Sequence, residues 1–599
     1  MNADPSALPA HELDLEIPRY DKQKYHRHLR GWFSYAFASE VFVIVSLTLF
    51  LPICLEQFAR DNGYLLPDKT QPCNSVSTSP SSAEGERDAR CVVKLGWLWI
   101  DSASFSLYVY SISVALQALT VISMGGIADH PPHRKKLLLA FAALGSISAV
   151  LFLLVPSTSP VWPLVAPLAI FANVGFGASI VALNAYIPTL AQGAQEVVAA
   201  RANLVRLLRA PSIPAESELR RSADAREVAS EANEPLLARV PEEGNDPHHG
   251  DARTAKAEHD KVLSITTSRI SSQGIALGYA AGIVMLLLAL IPVRAMKGST
   301  DSLRLAIGLS GIWWALFSLP AAAWLPGASA ASQGAIVLLE DGEDEGGDVR
   351  RPRVGDEQDW SMTREVARAW KRLGQMLRWT EIKRLRNTFV YLAAWFLLSD
   401  GFTTITSTAL LFGKTTLHMP PSSLILIGAL TPTAGILGSL IWPIVQRRAG
   451  WSNLRVLVVL VVMASAIPAY GCLGFLPVFQ KGSVKFGGLT TPAEMYVLAV
   501  YFGSVYGAFQ GYARAFYAEF IPPGEEARWY ALFSITDKSS SFVGPLVVGL
   551  IADTTGNIRY AFFFLVFMIW AAVPILMAVD VERGREDAQR YTAVARSAR

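Results

Sequence analysis

Charge is scarce in this sequence. Asp, Glu, Lys and Arg make up only 17% of its 599 residues, against about 25% in soluble globular chains. Hydrophobic residues make up 51%. Length alone suggests roughly four soluble domains, but this composition belongs to a membrane protein. Cysteine is nearly absent, with four in all. No His/Cys spacing suits a metal, and there is neither a phosphate-cradling glycine loop nor a nucleophile elbow. The chain therefore carries no enzyme signature and calls for no cofactor. Basic residues never interleave with aromatics in the way a nucleic-acid surface requires, and a net charge of +3 adds no such signal. The first 32 residues hold no apolar core, so no cleaved signal peptide is expected. External loops lack an N-x-S/T acceptor, so no N-glycan is expected either.

What is present is a series of apolar runs of about 20 residues, each long enough to cross ~30 Å of hydrocarbon. They fall near 33–55, 103–124, 136–155, 161–189, 270–293, 303–325, 387–412, 421–445, 454–477, 495–517, 529–551 and 560–579. The basic loops "HPPHRKK" and "QRRAG" lie on one side and uncharged "PSTSP" on the other. With an even span number this predicts both termini in the cytosol. Arg294 and Lys297 in an external loop run against the rule.

The expected organisation is an all-α polytopic membrane protein. A cytosolic tail, 1–32, precedes four spans in 33–189, with an external loop at 58–98. A disordered cytosolic linker covers 190–268, and spans five and six occupy 269–325. A second cytosolic linker, 326–386, precedes six more spans in 387–579 and a cytosolic tail, 580–599. Six spans on each side of the second linker is the layout of two-half transporters. Within that linker Val366, Trp370, Leu373 and Leu377 form one helical stripe, predicting an amphipathic helix over 361–379. Basic residues surround it, and two placements are open, on the cytosolic leaflet or packed on the bundle. Cys73 and Cys91 share the external loop, where a disulfide and free thiols are both open.

The informative charges lie inside the spans. In "YALFSITDKSSSFVGPLVVGL" the residues Ser534, Asp537, Lys538 and Ser541 share one helical face. Asp400, Thr403, Thr404 and Ser407 form a second such stripe, and Tyr506, Gln510, Arg514 and Tyr517 a third. Glu40 stands alone among apolar neighbours. A charge at the bilayer centre costs on the order of 3 kcal/mol on insertion scales, and a polar face turned to a wet cavity avoids most of that. Each charge also has a purely structural reading, as one half of a pair fixing helix packing. Adjacent Asp537 and Lys538 project about 100° apart, so no ideal direct pair is expected between them.

"GWFSYAFASEVF", "WFLLSDGFTTITS", "FQGYARAFYAEFIPPGEEARWYALFSITDKSSSFVGP" and "IADTTGNIRYAFF" closely resemble the autophagy-related protein 22 family, fungal vacuolar amino-acid effluxers of the major facilitator superfamily. The likeness runs through nearly all spans and misses only the linkers and termini. It implies twelve transmembrane helices in two six-helix halves, a multi-pass protein of the vacuole membrane, and export of amino acids to the cytosol after autophagic breakdown. Proton coupling is compatible with it. A zwitterion needs an anion at its ammonium and a cation at its carboxylate. Asp537, Asp400 or Glu40 can serve the first, Lys538 or Arg514 the second, and Gln510 lies beside them. The superfamily's loop between spans two and three is matched by Gly125, Asp129, Arg134 and Lys135, which implies a cytosolic gating latch from Asp129 and Arg134. Pro132 replaces its glycine, and in the second half Trp442 stands where an acid would fall. The alternatives are a carrier of another small solute in the same fold, and a transporter-shaped receptor or scaffold on that membrane.

Overall fold

A computed structural model describes residues 20–73, 90–129, 131–209, 247–327, 361–480, 486–522 and 526–597. The acidic run "EDGEDEGGD" at 340–348 and "EPLL" at 234–237 in the two linkers therefore lie wholly outside the described residues, as does most of the N-terminal tail. The chain divides into two compact units. One comprises the residues up to Arg30 with Ala185–Gly274, the other Gly31–Asn184 with Ile275–Arg599.

The first unit corrects the disordered linker expected over 190–268 at its two ends, while 210–246 lies outside the described residues. The unit contains α7 (Gln195–Arg209) and the beginning of the 49-residue helix α8 (Pro247–Ala295). The reason is a weak apolar period, with Val197 and Val205 buried on one side of α7 and Ala194 buried just before it. Glu196 also receives three guanidinium bonds from Arg269. Span five, expected over 270–293, is only the final part of α8.

The second unit holds the bundle. Span one is α1 (Lys22–Val41), a π-helical stretch Phe42–Phe50, and α2 (Leu51–Asp61). A small antiparallel sheet follows: β1 (Tyr64–Leu65), β2 (Cys91–Leu95) and β3 (Leu98–Asp101), with Leu65 opposite Cys91 and Val92 opposite Asp101. The all-α expectation misses this sheet. Cys73 and Cys91 form a disulfide beside it, their Cα atoms 5.9 Å apart. Spans two to four are α3 (Ser102–Asp129), α4 (Pro131–Leu151) and α5 (Val165–Asn184). The short α6 (Ile187–Gln192), in the first unit, covers residues expected to belong to span four. Span six is α9 (Thr300–Trp324), begun by the Ser299 side chain accepting from the Ser302 N–H.

The amphipathic segment forms α10 (Met362–Met376), followed by α11 (Trp379–Arg384). Trp370 donates its indole N–H to Ser123 of span two, so α10 packs on the bundle. The C-terminal half contains α12 (Arg386–Thr415), α13 (Pro421–Ala449), α14 (Asn453–Leu473) and α15 (Pro492–Ala518), spans seven to ten. It continues with α16 (Glu526–Ser540), α17 (Val543–Thr555) and α18 (Ala561–Met577), ending in α19 (Val581–Ser597).

Among the described residues ten helices are long and apolar enough to cross a membrane. The two expected spans outside that set are the polar-striped α15 and span eleven. Span eleven is not the continuous helix expected over 529–551. It is α16 and α17, separated at Ser541–Phe542.

Candidate functional site

The break in span eleven follows from its sequence. The hydroxyls of Ser540 and Ser541 both donate to the Asp537 carbonyl, at 3.0 and 2.8 Å, competing for the acceptor a continuing helix would use. Pro545 has no N–H, and its ring would meet the carbonyl of residue 541 in an unbroken helix. Placed in the first turn of a new helix, it costs nothing there. The signal Ser-Ser-Ser followed by Gly-Pro was thus present, though hydropathy hides it.

Span seven bridges the break with consecutive residues. Ser399 donates to Asp537 Oδ1 at 2.5 Å, before the break. Asp400, 2% exposed, accepts from the Gly544 N–H at 3.0 Å, after it, and from the Thr404 hydroxyl at 3.4 Å. A carboxylate at the first turn of α17 satisfies one of its free amides and sits at the positive end of its dipole. Gly544 is needed for this approach, because a Cβ there would lie 2.8 Å from Asp400 Oδ1 and still closer to the Thr404 hydroxyl. Asp400 is therefore a helix cap, a role the sequence reading did not assign.

Lys538 Nζ lies 3.6 Å from Asp537 Oδ2, with side chains 46% and 30% exposed. That is a loose ion pair, beyond hydrogen-bond distance, in place of the ideal direct pair that adjacent positions were not expected to form. The 100° divergence concerns the Cβ directions, and the four-carbon lysine stem is long enough to curl back.

Spans ten, one, five and two complete the cluster. Gln510 donates to the Tyr506 hydroxyl at 2.9 Å, and Tyr506 is within electrostatic reach of Asp537, Tyr279 and Arg514. Arg514 is exposed and makes no hydrogen bond or ion pair among the described residues. Glu519, five residues further along the chain, binds Arg585 and Asn453 instead, at 2.6 Å each. Glu40 feels the charge of Lys538 and lies two residues before the π-helical stretch, a deviation often found at functional positions. It packs against Gly278 of span five, where an added Cβ would stand 2.6 Å from Glu40 Cβ. Tyr110 of span two is within electrostatic reach of Asp400, Asp537 and Tyr506, and Tyr279 of Glu40 and Arg514.

The six predicted site residues thus gather with Ser399, Tyr110, Tyr279 and Tyr506, drawn from both halves of the bundle. Ser399, Tyr110 and Tyr279 were missed, the tyrosines because such residues usually anchor spans at the interface. Stacked rings brace the cluster: Phe402 on Phe509 at 4.0 Å and Trp395 on Phe533 at 4.5 Å. A cavity of about 270 Å³ lies apart from the cluster, lined by Gln446, Asn453, Glu519 and Arg585 among others, and contains none of the predicted residues.

At the expected latch, the Asp129 side chain lies outside the described residues. Arg134 is buried near the start of α4, and Lys135 donates to the Leu325 carbonyl at the end of span six, at 2.9 Å.

This arrangement is that of a polytopic membrane transporter of the major facilitator type: two groups of helices with charged side chains converging between them, and one helix interrupted at the convergence. The D-xylose-proton symporter crystal structure shares the fold, with a TM-score of 0.51 at 11% identity over 94% of this chain and 99% of that one. The family described as "Vacuole effluxer Atg22 like" matches residues 24–589. "Autophagy-related protein 22" of Cryptococcus neoformans var. neoformans serotype D is 41% identical over 94% of this chain and 96% of its own. "Autophagy-related protein 22-1" of Neosartorya fischeri is 38% identical, covering 95% and 92%. The chain belongs to this Atg22-like family.

Proposed function

We propose that the protein resides in the vacuole membrane with both termini in the cytosol, and exports amino acids from the acidic lumen after autophagic protein breakdown, by alternating access. The observation that carries this reading is the interrupted span eleven, with Asp537 and Lys538 one turn before the break. Interrupted helices bearing charges at mid-membrane are how such carriers hold small charged solutes.

Asp537 and Lys538 neutralise each other. A partly exposed pair of this kind is worth about 0–1 kcal/mol, so opening it costs little. A zwitterion then replaces one ion pair with two, its ammonium on Asp537 and its carboxylate on Lys538, with Arg514, a cation that has no ion pair among the described residues, in the same cluster. Glu40 is the candidate for a coupled proton.

The test is flux of labelled amino acids from proteoliposomes, with and without a pH gradient. Asp537→Asn and Lys538→Met should each lower flux per folded molecule at least about tenfold, the effect of ~1.4 kcal/mol. The assignment fails if each single variant loses only abundance, the double variant regains it, and flux per molecule never moves. Thermal stabilisation by amino acids separates a carrier from a receptor or scaffold that binds none.

A further inference from the structure

Arg90 ends the external loop between spans one and two, immediately before the disulfide-bonded Cys91. Its side chain is 24% exposed. Nε donates to Asp101 Oδ2 at 3.2 Å. Nη2 donates to the Ala552 carbonyl at 3.2 Å and to the Asp553 carbonyl, and lies 3.5 Å from Asp553 Oδ1. Asp553 in turn accepts from the Asp101 backbone N–H at 2.9 Å. Arg90 and Asp101 belong to the N-terminal half of the bundle and Asp553 to the C-terminal half.

The group they hold is the end of α17. Carbonyls in the last turn of a helix form the negative end of its dipole, and most lack intrahelical donors; that of Ala552 already takes the Gly556 N–H and has one lone pair left for Arg90. A guanidinium with several donors in a fixed fork suits that end better than an ammonium does. Two more bonds join the halves along the same helix: Ser104 donates to the Gly549 carbonyl at 2.8 Å and Ser111 to the Phe542 carbonyl at 2.7 Å. Span two thus grips α17 from its end back to the break, while Ser399 of span seven holds α16 on the other side of that break. Access from the loop side requires the halves to part here, and the Arg90 contacts must then be released.

We propose that Arg90 is a positioning residue of the transport cycle, a clasp that keeps α17 on span two while the loop side is closed. The inference rests on the alternating-access reading above and is independent of the cargo. Arg90 is itself joined to Cys91, which the disulfide and the β2–β3 hairpin hold in place, so the clasp closes onto a fixed point.

The experiment uses the full chain in sealed vesicles, with the free Cys54 and Cys472 changed to Ser and a reporter cysteine introduced as Thr403→Cys. A membrane-impermeant maleimide is applied to each face in turn. Arg90→Gln should raise the rate of labelling from the face bearing loop 58–98 about tenfold, and Arg90→Lys, which keeps the charge near Asp553, should raise it less. Joining Arg90→Cys to Asp553→Cys with a bis-maleimide should suppress labelling from that face and leave labelling from the other intact. The proposal is overturned if Arg90→Gln only reduces the folded amount while the rate per molecule stays unchanged, or if the cross-linked protein still labels from the loop face. A reporter that labels from neither face in any variant overturns alternating access itself, and the clasp with it.

Discussion

Asp400 separates two physical roles that a mid-membrane carboxylate can play. Its Oδ1 accepts the Gly544 N–H at 3.0 Å in the first turn of α17, where Pro545 contributes no N–H. Val543 and Gly544 are thus the first amides of that turn, and Asp400 holds the second. Asp400→Ala removes the acceptor. Loss of an N-terminal cap costs about 0.5–2 kcal/mol, and loss of the charge–dipole attraction costs about 0.3–1 kcal/mol more. Against this, a buried charge costs on the order of 3 kcal/mol in the membrane centre, which Ala also relieves. The local effect, opening of the α17 first turn, should still be about 1–3 kcal/mol, because the freed amide has no other described acceptor. Asp400→Asn keeps an oxygen at the same place, and Asn caps nearly as well as Asp. Amide hydrogen exchange of peptides covering 541–548, with 561–577 as internal control, reads the outcome. Exchange should quicken about 5- to 150-fold in the Ala variant and by less than about fivefold in the Asn variant. Equal acceleration in both would mean that the charge, not the cap, holds the break, and the capping argument would be wrong.

Gly278→Ala should destabilise the protein by about 1–3 kcal/mol, the usual cost of overpacking, because the new Cβ meets the unyielding Glu40 Cβ at 2.6 Å. Gly282→Ala meets mainly the mobile end of Ile44, at 2.5 Å, and should cost less; a reversed order of thermal midpoints would sink the argument. Burial holds the Asp101 carboxyl above its ordinary value against the opposing effect of Arg90 and the Ala103 and Ser104 amides. Asp553, Glu56 and Tyr108 are its other polar neighbours. Folding therefore tightens its proton. That stabilisation is complete below the ordinary Asp value of about 3.9 and is lost as pH rises through the raised folded value. The thermal midpoint of the unmodified protein, measured against Asp101→Asn, should fall across that window, and parallel curves would refute the linkage.

Composition and hydropathy by themselves marked the chain as one that crosses the membrane many times. Apolar runs of bilayer length are a local property, and no long-range contact is needed to recognise them. The same holds for α10, whose stripe of Val366, Trp370 and Leu373 is visible in a window of eight residues. Charges within apolar runs marked Asp537, Lys538, Asp400 and Glu40 for the same reason. The roles of these residues depended on partners far away in sequence. Asp400 became a cap because Gly544, 144 residues later, supplies an amide there. Arg90 became a clasp because α17 ends beside it, 463 residues on. Tyr110 and Tyr279 look like interface anchors until packing turns them toward Asp537 and Glu40. Hydropathy averages over about 20 residues, so it passed over the gap at Ser541–Phe542 that three serines and a proline create. Only the tertiary structure, by placing Ser399 and Asp400 on either side of that gap, made the gap a place where charge is held.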